Sequence, residues 1–176
     1  MTPAPPSAWI LAGGAAIRYG SDKALARIGS ETLLERTARI CGECGLGVTV
    51  VARFAREGGL PTLIERNRPE RHPLFGVSVA LFAAAARGER TALCLPCDLP
   101  DLPASTVLAI LQASAPACAA GQPLLCHLPV TLAASAQAAA EAGAPVRAFM
   151  RAAAVQIVEV PETRNLNRPE PAQYSK

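Results

Sequence analysis

The sequence predicts an α/β fold of three layers with a mostly parallel central sheet, and three observations carry that prediction. Short apolar, β-branched runs alternate with longer amphipathic or alanine-rich segments along the chain, the pattern of repeated strand–helix units. The first run, Trp9-Ile-Leu-Ala12, leads directly into Gly13-Gly14, as a buried strand does when it enters a glycine loop. A carboxylate, Asp98, stands just past another run, Thr91 to Pro96. In open α/β sheets ligands bind beyond the carboxyl ends of the strands, so Gly13-Gly14 and Asp98 mark the edge where chemistry is expected.

After the first strand, Glu31 to Cys44 has helical spacing, with Leu34, Ala38 and Cys41 on one face and Glu31, Glu35 and Arg39 on another. Ser30 is the expected N-cap. Val48 to Ala52 is short and β-branched and reads as the second strand; Pro61 to Glu65 reads as the third, and Arg66 to His72 as a polar loop. Gly76 to Arg87 is mostly apolar, and its alanines favour a buried helix over a strand. Thr91 to Pro96 is a buried strand. The next helix spans Ala104 to Ala113 with Pro103 in its first turn. Leu124 to Thr131 and Val155 to Val160 read as strands, with alanine-rich helices over 132–142 and 146–153.

The chain of 176 residues suits one domain, 1–176, with residues 1–7 and about 170–176 loosely ordered. Hydrophobic residues make up 51% and charged residues 18%, a composition that can bury a core and excludes a disordered tail. Aromatic residues are only 4%, too few for the stacking platforms of single-stranded nucleic acid binding. The net charge of +3 comes mainly from arginine, the only lysines being Lys23 and Lys176. That balance suits a phosphate-bearing ligand without requiring a nucleic acid partner. The longest uncharged stretch, Leu102 to Ala140, is broken by four prolines, and no apolar run approaches the roughly 20 residues of a membrane span. Met1 to Ser7 has no basic n-region. The expectation is a soluble, cytoplasmic protein.

Six cysteines include two C-x-x-C pairs, Cys41/Cys44 and Cys94/Cys97. Their 49-residue separation exceeds the roughly 15–20 of zinc ribbons, and Cys41 falls late in a helical pattern rather than at a helix start. They read as buried or incidental thiols.

Two motifs concentrate the chemistry. In Leu11-Ala-Gly-Gly-Ala-Ala-Ile-Arg-Tyr-Gly-Ser-Asp-Lys23, glycines after a buried strand let backbone N–H groups approach an anion, while Arg18 and Lys23 add charge. The spacing is neither that of a Walker loop nor that of a dinucleotide fingerprint. In Pro96-Cys-Asp98-Leu-Pro-Asp101-Leu-Pro, the strand-end carboxylate is placed to hold Mg²⁺. The chain has only three aspartates, Asp22, Asp98 and Asp101, and all lie in these motifs. Asp101, before Leu-Pro, also suits a turn or helix start.

These motifs resemble a known family. Leu11 to Lys23 is similar to the L-A-G-G-x-x-x-R-x-G-x-D-K signature of nucleotidyltransferases of the molybdenum cofactor guanylyltransferase family. His72-Pro-Leu-Phe-Gly76 resembles its G-P-L-x-G element, Pro96 to Pro100 its P-C-D-x-P element, and Asn165-Leu-Asn167-Arg-Pro-Glu170 its N-x-N-T-P-E tail. The resemblance implies a Rossmann-like nucleotidyltransferase that transfers GMP from GTP to the phosphate of Mo-molybdopterin, releasing pyrophosphate. By that likeness Leu11, Ala12 and Gly13, with Gly14 after them, would bind the guanine nucleotide. Arg18 and Lys23 would face the phosphates, Asp98 would bind Mg²⁺, and Asn165 and Asn167 would lie near the pterin. It also implies transient contact with proteins that deliver or accept the cofactor. The nucleophile would be a phosphate monoester, already anionic near neutrality because its second pKa is about 6, so no general base is required. His127 accordingly reads as a strand residue near the pterin pocket and His72 as a loop residue, neither as a metal ligand.

The chain departs from the family pattern in places. Glu65-Arg66 stands where an E-D pair is usual, and the asparagine often found after the second strand is missing around Val51 to Arg53. Tyr19 replaces the usual Met and Arg168 the Thr of the tail. Arg66, Arg68 and Arg71 read as a solvated loop or as a basic flap for the second substrate. The departures leave open a cytidylyltransferase acting on molybdopterin or another phosphorylated metabolite; a non-catalytic nucleotide or cofactor carrier and a zinc-binding module are alternatives of other classes.

Overall fold

A strand that is apolar on both faces must be covered on both faces, and that requirement organises the molecule. The computed structural model describes residues 6–13, 23–54, 59–65 and 71–165, with Lys23 by its backbone alone. At its centre is β1 (Ala8–Leu11), whose Ala8, Trp9 and Ile10 are fully buried. It pairs in parallel with β4 (Val48–Ala52) on one side and β6 (Thr91–Pro96) on the other, so that Leu11 lies between Val51 and Pro96. The sheet continues outward from β4 to β5 (Thr62–Ile64), again in parallel. Beyond β6 it reverses: β8 (Gln122–Pro129) runs antiparallel to β6 and to β7 (Ala117–Ala119), and β9 (Gln156–Val158) pairs in parallel with β7. The resulting seven-stranded order is β5-β4-β1-β6-β8-β7-β9. A separate two-stranded ribbon, β2 (Arg27–Ile28) with β3 (Glu31–Thr32), precedes the first helix.

Alternate side chains divide the core into two layers. Ile10, Val50, Leu93 and Leu95 pack with Leu34, Ile40 and Cys41 of α1 (Leu33–Glu43) and with Val107 and Ile110 of α3 (Ala104–Gln112). Trp9, Val51, Ala92 and Cys94 face the other way, against Leu74, Val77 and Leu81 of α2 (Pro73–Ala86). That layer is completed by small alanines of α4 (Ala133–Glu141) and by Phe149 and Met150 of α5 (Val146–Ala152). The three-layer, mostly parallel α/β architecture expected from the sequence is therefore observed.

Several boundaries differ from the expectation, each for a local reason. The helix expected to start with Ser30 as cap starts instead after Thr32. Ser30 occupies the turn of the β2–β3 ribbon beside Gly29, whose φ is +62°. Thr32 closes a capping box: Glu35 N–H donates to Thr32 Oγ1 at 3.1 Å, and Thr32 N–H donates to Glu35 Oε2 at 2.7 Å. The α2 helix begins at Pro73 rather than Gly76, because proline fits a first turn and His72 Nδ1 accepts the Leu74 N–H at 3.2 Å. His72, a loop residue as expected, also serves as the helix cap. Pro103 precedes the first turn of α3 rather than lying within it. The predicted strand Leu124 to Thr131 starts two residues earlier and ends at Pro129, before a single 3₁₀ turn, Val130–Leu132. The three-residue β7 and the ribbon are too short to show a period and were not expected.

At the amino-terminal edge of the sheet, Ser7 donates from N and Oγ to the Glu89 carboxylate at 2.8–3.0 Å. The Arg87 guanidinium stacks 4.5 Å over the Trp9 ring and donates to Thr49 Oγ1. Cys41 is buried on the inner face of α1 and its thiol is pushed up to about 12, chiefly by burial, which leaves it a weak nucleophile. No helix among the described residues is long and apolar enough to cross a membrane.

Thr32→Ala removes one arm of the capping box and is expected to lower unfolding free energy by about 1 kcal/mol, measured by urea denaturation.

Candidate active site

Because β1, β4, β5 and β6 are parallel, the residues that follow them emerge at one edge of the sheet. Leu11 closes β1 and Ala12–Gly13 follow it, Arg53 follows β4, Glu65 follows β5, and Cys97–Asp98 follow β6. The antiparallel β8 brings its beginning, not its end, to the same edge, so Gln122–Leu124 join them. Together with His72 at the start of α2, Arg147 on α5 and Asn165, they line a cleft of about 1130 Å³. A pocket for one small ligand is roughly 300–1,000 Å³, so this cleft is large for a single small ligand.

Each wall is held by backbone bonds that the sheet supplies. Ala12 N–H donates to Val51 O at 2.8 Å, carrying the β1–β4 ladder one residue past the strand and fixing the approach to Gly13. Glu65 N–H donates to Ala52 O at 2.8 Å and does the same for β5. Asp98 is half-buried, with Oδ1 withdrawn from solvent. Its loop is anchored by the buried side chains of Leu99 and Leu102 and by Arg36 of α1, whose Nε donates to Pro100 O at 2.7 Å. Asp101 sits exposed on the turn beyond and does not line the cleft.

Glu65 is the feature that sequence reasoning passed over. Its carboxylate fits into space left by two glycines: a methyl group on Gly76 would lie 2.8 Å from Oε1, and one on Gly13 would lie 3.1 Å from Oε2. Burial raises the Glu65 pKa above the ordinary carboxyl value of 4.5, while the charge of Arg53 works in the opposite direction. The sequence does carry a signal for it, since Glu65 directly follows a strand.

The expected site residues distribute as follows. Leu11, Ala12, Gly13, Asp98 and Asn165 all line the one cleft. Lys23 opens the 3₁₀ turn Lys23–Leu25, whose Ala24 also lines it. Gly14, Arg18 and Asn167 lie outside the described residues, as do Arg66 and Arg68 of the expected basic loop; Arg71 lines the cleft. His72, read as a loop residue, lines the cleft as well. His127, expected near the pterin pocket, is turned elsewhere: Nε2 lies 2.8 Å from Thr91 Oγ1, and burial lowers its pKa, which favours a neutral ring.

A cleft across the carboxyl ends of parallel strands, entered by a glycine-bearing strand end and flanked by single carboxylates on neighbouring strands, belongs to the α/β proteins that bind nucleotides at that edge. Comparison with known proteins narrows the class: the chain belongs to the MobA-like NTP transferase domain family, whose model matches residues 8–159. It is 32% identical to a protein of Opitutus terrae named "Probable molybdenum cofactor guanylyltransferase", over 92% of this chain and 90% of that one. It is 39% identical to a molybdenum cofactor guanylyltransferase of Acidiphilium cryptum, over 68% of this chain and 62% of that one. Among solved structures, a protein of Aquifex aeolicus superposes with a TM-score of 0.76 at 25% identity, covering 92% of this chain and 93% of its own.

An ionised carboxylate in a half-buried niche costs stability that a neutral amide does not. Below 4.5 Glu65 is protonated in both folded and unfolded chains; as pH rises through its raised folded value, the folded state alone resists ionisation and loses stability. Glu65→Gln is therefore expected to melt higher than the parent at pH 7–8 and to match it below about pH 4.5, by thermal unfolding across that range.

Proposed function

We propose that the protein is a molybdenum cofactor guanylyltransferase, which joins GMP from GTP to the terminal phosphate of Mo-molybdopterin and releases pyrophosphate. The family membership carries the class of reaction, and one observation carries the choice of base: the Glu65 carboxylate beside the Gly13 strand end. An ionised carboxylate only accepts hydrogen bonds. Guanine presents two adjacent donors on its pairing edge, N1–H and the 2-amino group, whereas cytosine and adenine present a donor beside an acceptor. Glu65 thus matches guanine and repels the acceptor nitrogen of the others, a discrimination made sharper by its partial burial. Arg66, in the place of the usual acidic residue, leaves this acceptor in position.

With the base at Glu65, the triphosphate extends along the segment from Gly13 to Lys23. In this reading Gly14 and its neighbours offer backbone N–H groups, Arg18 and Lys23 offset phosphate charge, and Asp98 faces the reacting phosphates from the next strand. Asp98 suits Mg²⁺ in particular, as a half-buried carboxylate just past the end of β6 that lines the cleft. Magnesium commonly takes one or two carboxylates and completes its shell with phosphate oxygens and water. Bound there, Mg²⁺ would draw off charge that accumulates on the α-phosphate and the pyrophosphate. The chain's own residues then have to hold two anions in line, which is the main task in phosphoryl-type transfers. Arg71 and Arg147, exposed on the cleft rim, favour entry of a second anionic substrate, with Asn165 beside them; the family resemblance adds Asn167 as a contact to its pterin. Molybdopterin-delivering and molybdopterin-accepting proteins would meet the protein at this open side.

Calorimetric titration with GTP, CTP, ATP and UTP in Mg²⁺ tests the base assignment. GTP is expected to bind at least tenfold more tightly than CTP, and Glu65→Gln to erase most of that preference; preference of the parent for CTP would move the protein to cytidylyl transfer. Asp98→Ala is expected to keep the fold by circular dichroism and to lower turnover at least about a hundredfold. Full Mg²⁺-dependent turnover in that variant would remove the metal assignment.

A further inference from the structure

Gln122 belongs to none of the sequence motifs, yet it ties together the two ends of the acceptor half of the cleft. It opens β8 immediately after Gly121, whose φ of +75° makes the tight turn from β7. Its Nε2 donates to the main-chain oxygen of Thr163 at 3.1 Å and to Oδ1 of Asn165. Thr163 is itself buried, so the segment after β9 is anchored where Gln122 meets it.

The donor and acceptor roles follow from one partner. A main-chain carbonyl can only accept, so Thr163 determines which end of the Gln122 amide carries the hydrogens. One of the two N–H groups is used there, and the other is directed at Asn165, which must answer with its oxygen. The amide of Asn165 is thereby oriented with its own NH₂ group left for other partners, and Asn165 lines the cleft. Asn165 is exposed. An exposed asparagine without such a tether samples both amide orientations and several rotamers, a freedom that binding would have to remove.

We infer that Gln122 is a positioning residue that presents Asn165 to the acceptor substrate as a hydrogen-bond donor, so that the substrate is recognised there through an accepting oxygen or ring nitrogen. The identity of that substrate rests on the guanylyl-transfer reading; the orientation of the two amides does not.

The first arm of the test uses the ¹⁵N-labelled full chain. The side-chain amide protons of Gln122 are expected to exchange with water at least tenfold more slowly than those of an exposed glutamine, and in Asn165→Ala the proton directed at residue 165 should lose that protection while the one held by Thr163 keeps it. Free exchange in the parent overturns the inference whatever the protein's substrate. The second arm is kinetic, with GTP and molybdopterin. Gln122→Leu is expected to raise KM for molybdopterin about tenfold, the scale of a lost hydrogen bond or two, with GTP affinity unchanged. In the Asn165→Ala background the same substitution should change KM less than twofold, since its effect passes through Asn165. Independent, multiplying effects, or an equal loss of GTP affinity, would assign Gln122 a merely structural role. Asn165→Asp keeps the acceptor for Gln122 and removes the donors, so it should keep Gln122 protected yet raise KM as Asn165→Ala does; a parental KM overturns the donor role. A parent that binds GTP but never transfers GMP to molybdopterin would sink the functional reading, with the exchange arm still deciding the clamp.

Discussion

The whole site depends on β1 having a parallel neighbour on each side. Parallel pairing with both β4 and β6 brings the carboxyl ends of four strands to one edge, and only there can Gly13, Glu65 and Asp98 share a cleft. The same arrangement demands helices on both faces, because a strand flanked in this way has no face left for water. The two core layers thus follow from the geometry that makes the site, rather than being a scaffold to which a site was added. The ladder bonds of Ala12 and Glu65, each extending one residue past its strand, transmit the rigidity of the sheet to the residues that would touch a nucleotide.

The second half of the sheet uses the opposite rule. Since β8 runs against β6, its first residues arrive where the last residues of β6 leave, and the cleft is walled on that side by a strand beginning. One half of the cleft is therefore built from strand ends and glycines, suited to a nucleotide. The other is built from side-chain amides and arginines on a hairpin, on α5 and on the segment after β9, suited to a larger polar acceptor. In the proposed reaction, strand direction alone would separate the places of the two substrates.

How much of this was legible in the sequence depended on the range of the signal. Gly13 and Asp98 could be read because each follows a long apolar run, and runs of buried residues are the clearest pattern a parallel sheet leaves. Asn165 could be placed through the tail motif. Glu65 was harder: the strand before it was expected, but its carboxylate's niche is set by Gly13 and Gly76, which are far from it in sequence. The cap of α1 was misplaced by two residues because Ser30 and Thr32 have equal capping chemistry, and only the ribbon turn, set by Gly29, decides between them. Gln122 could not be found at all. Its partners lie 41 and 43 residues away, and no local pattern records a contact of that separation.

Gly76 shows what such packing means for the protein's future. It lies buried in the first turn of α2, where a helix would gain about 0.5–1 kcal/mol from alanine, and any programme of thermal improvement would visit it early. The methyl group of that alanine would take the volume now filled by the Glu65 carboxylate, the flexible member of the pair and the one that would move. If Glu65 reads the base as proposed, selection for heat resistance alone would then drift toward a sturdier protein with a weaker choice of nucleotide.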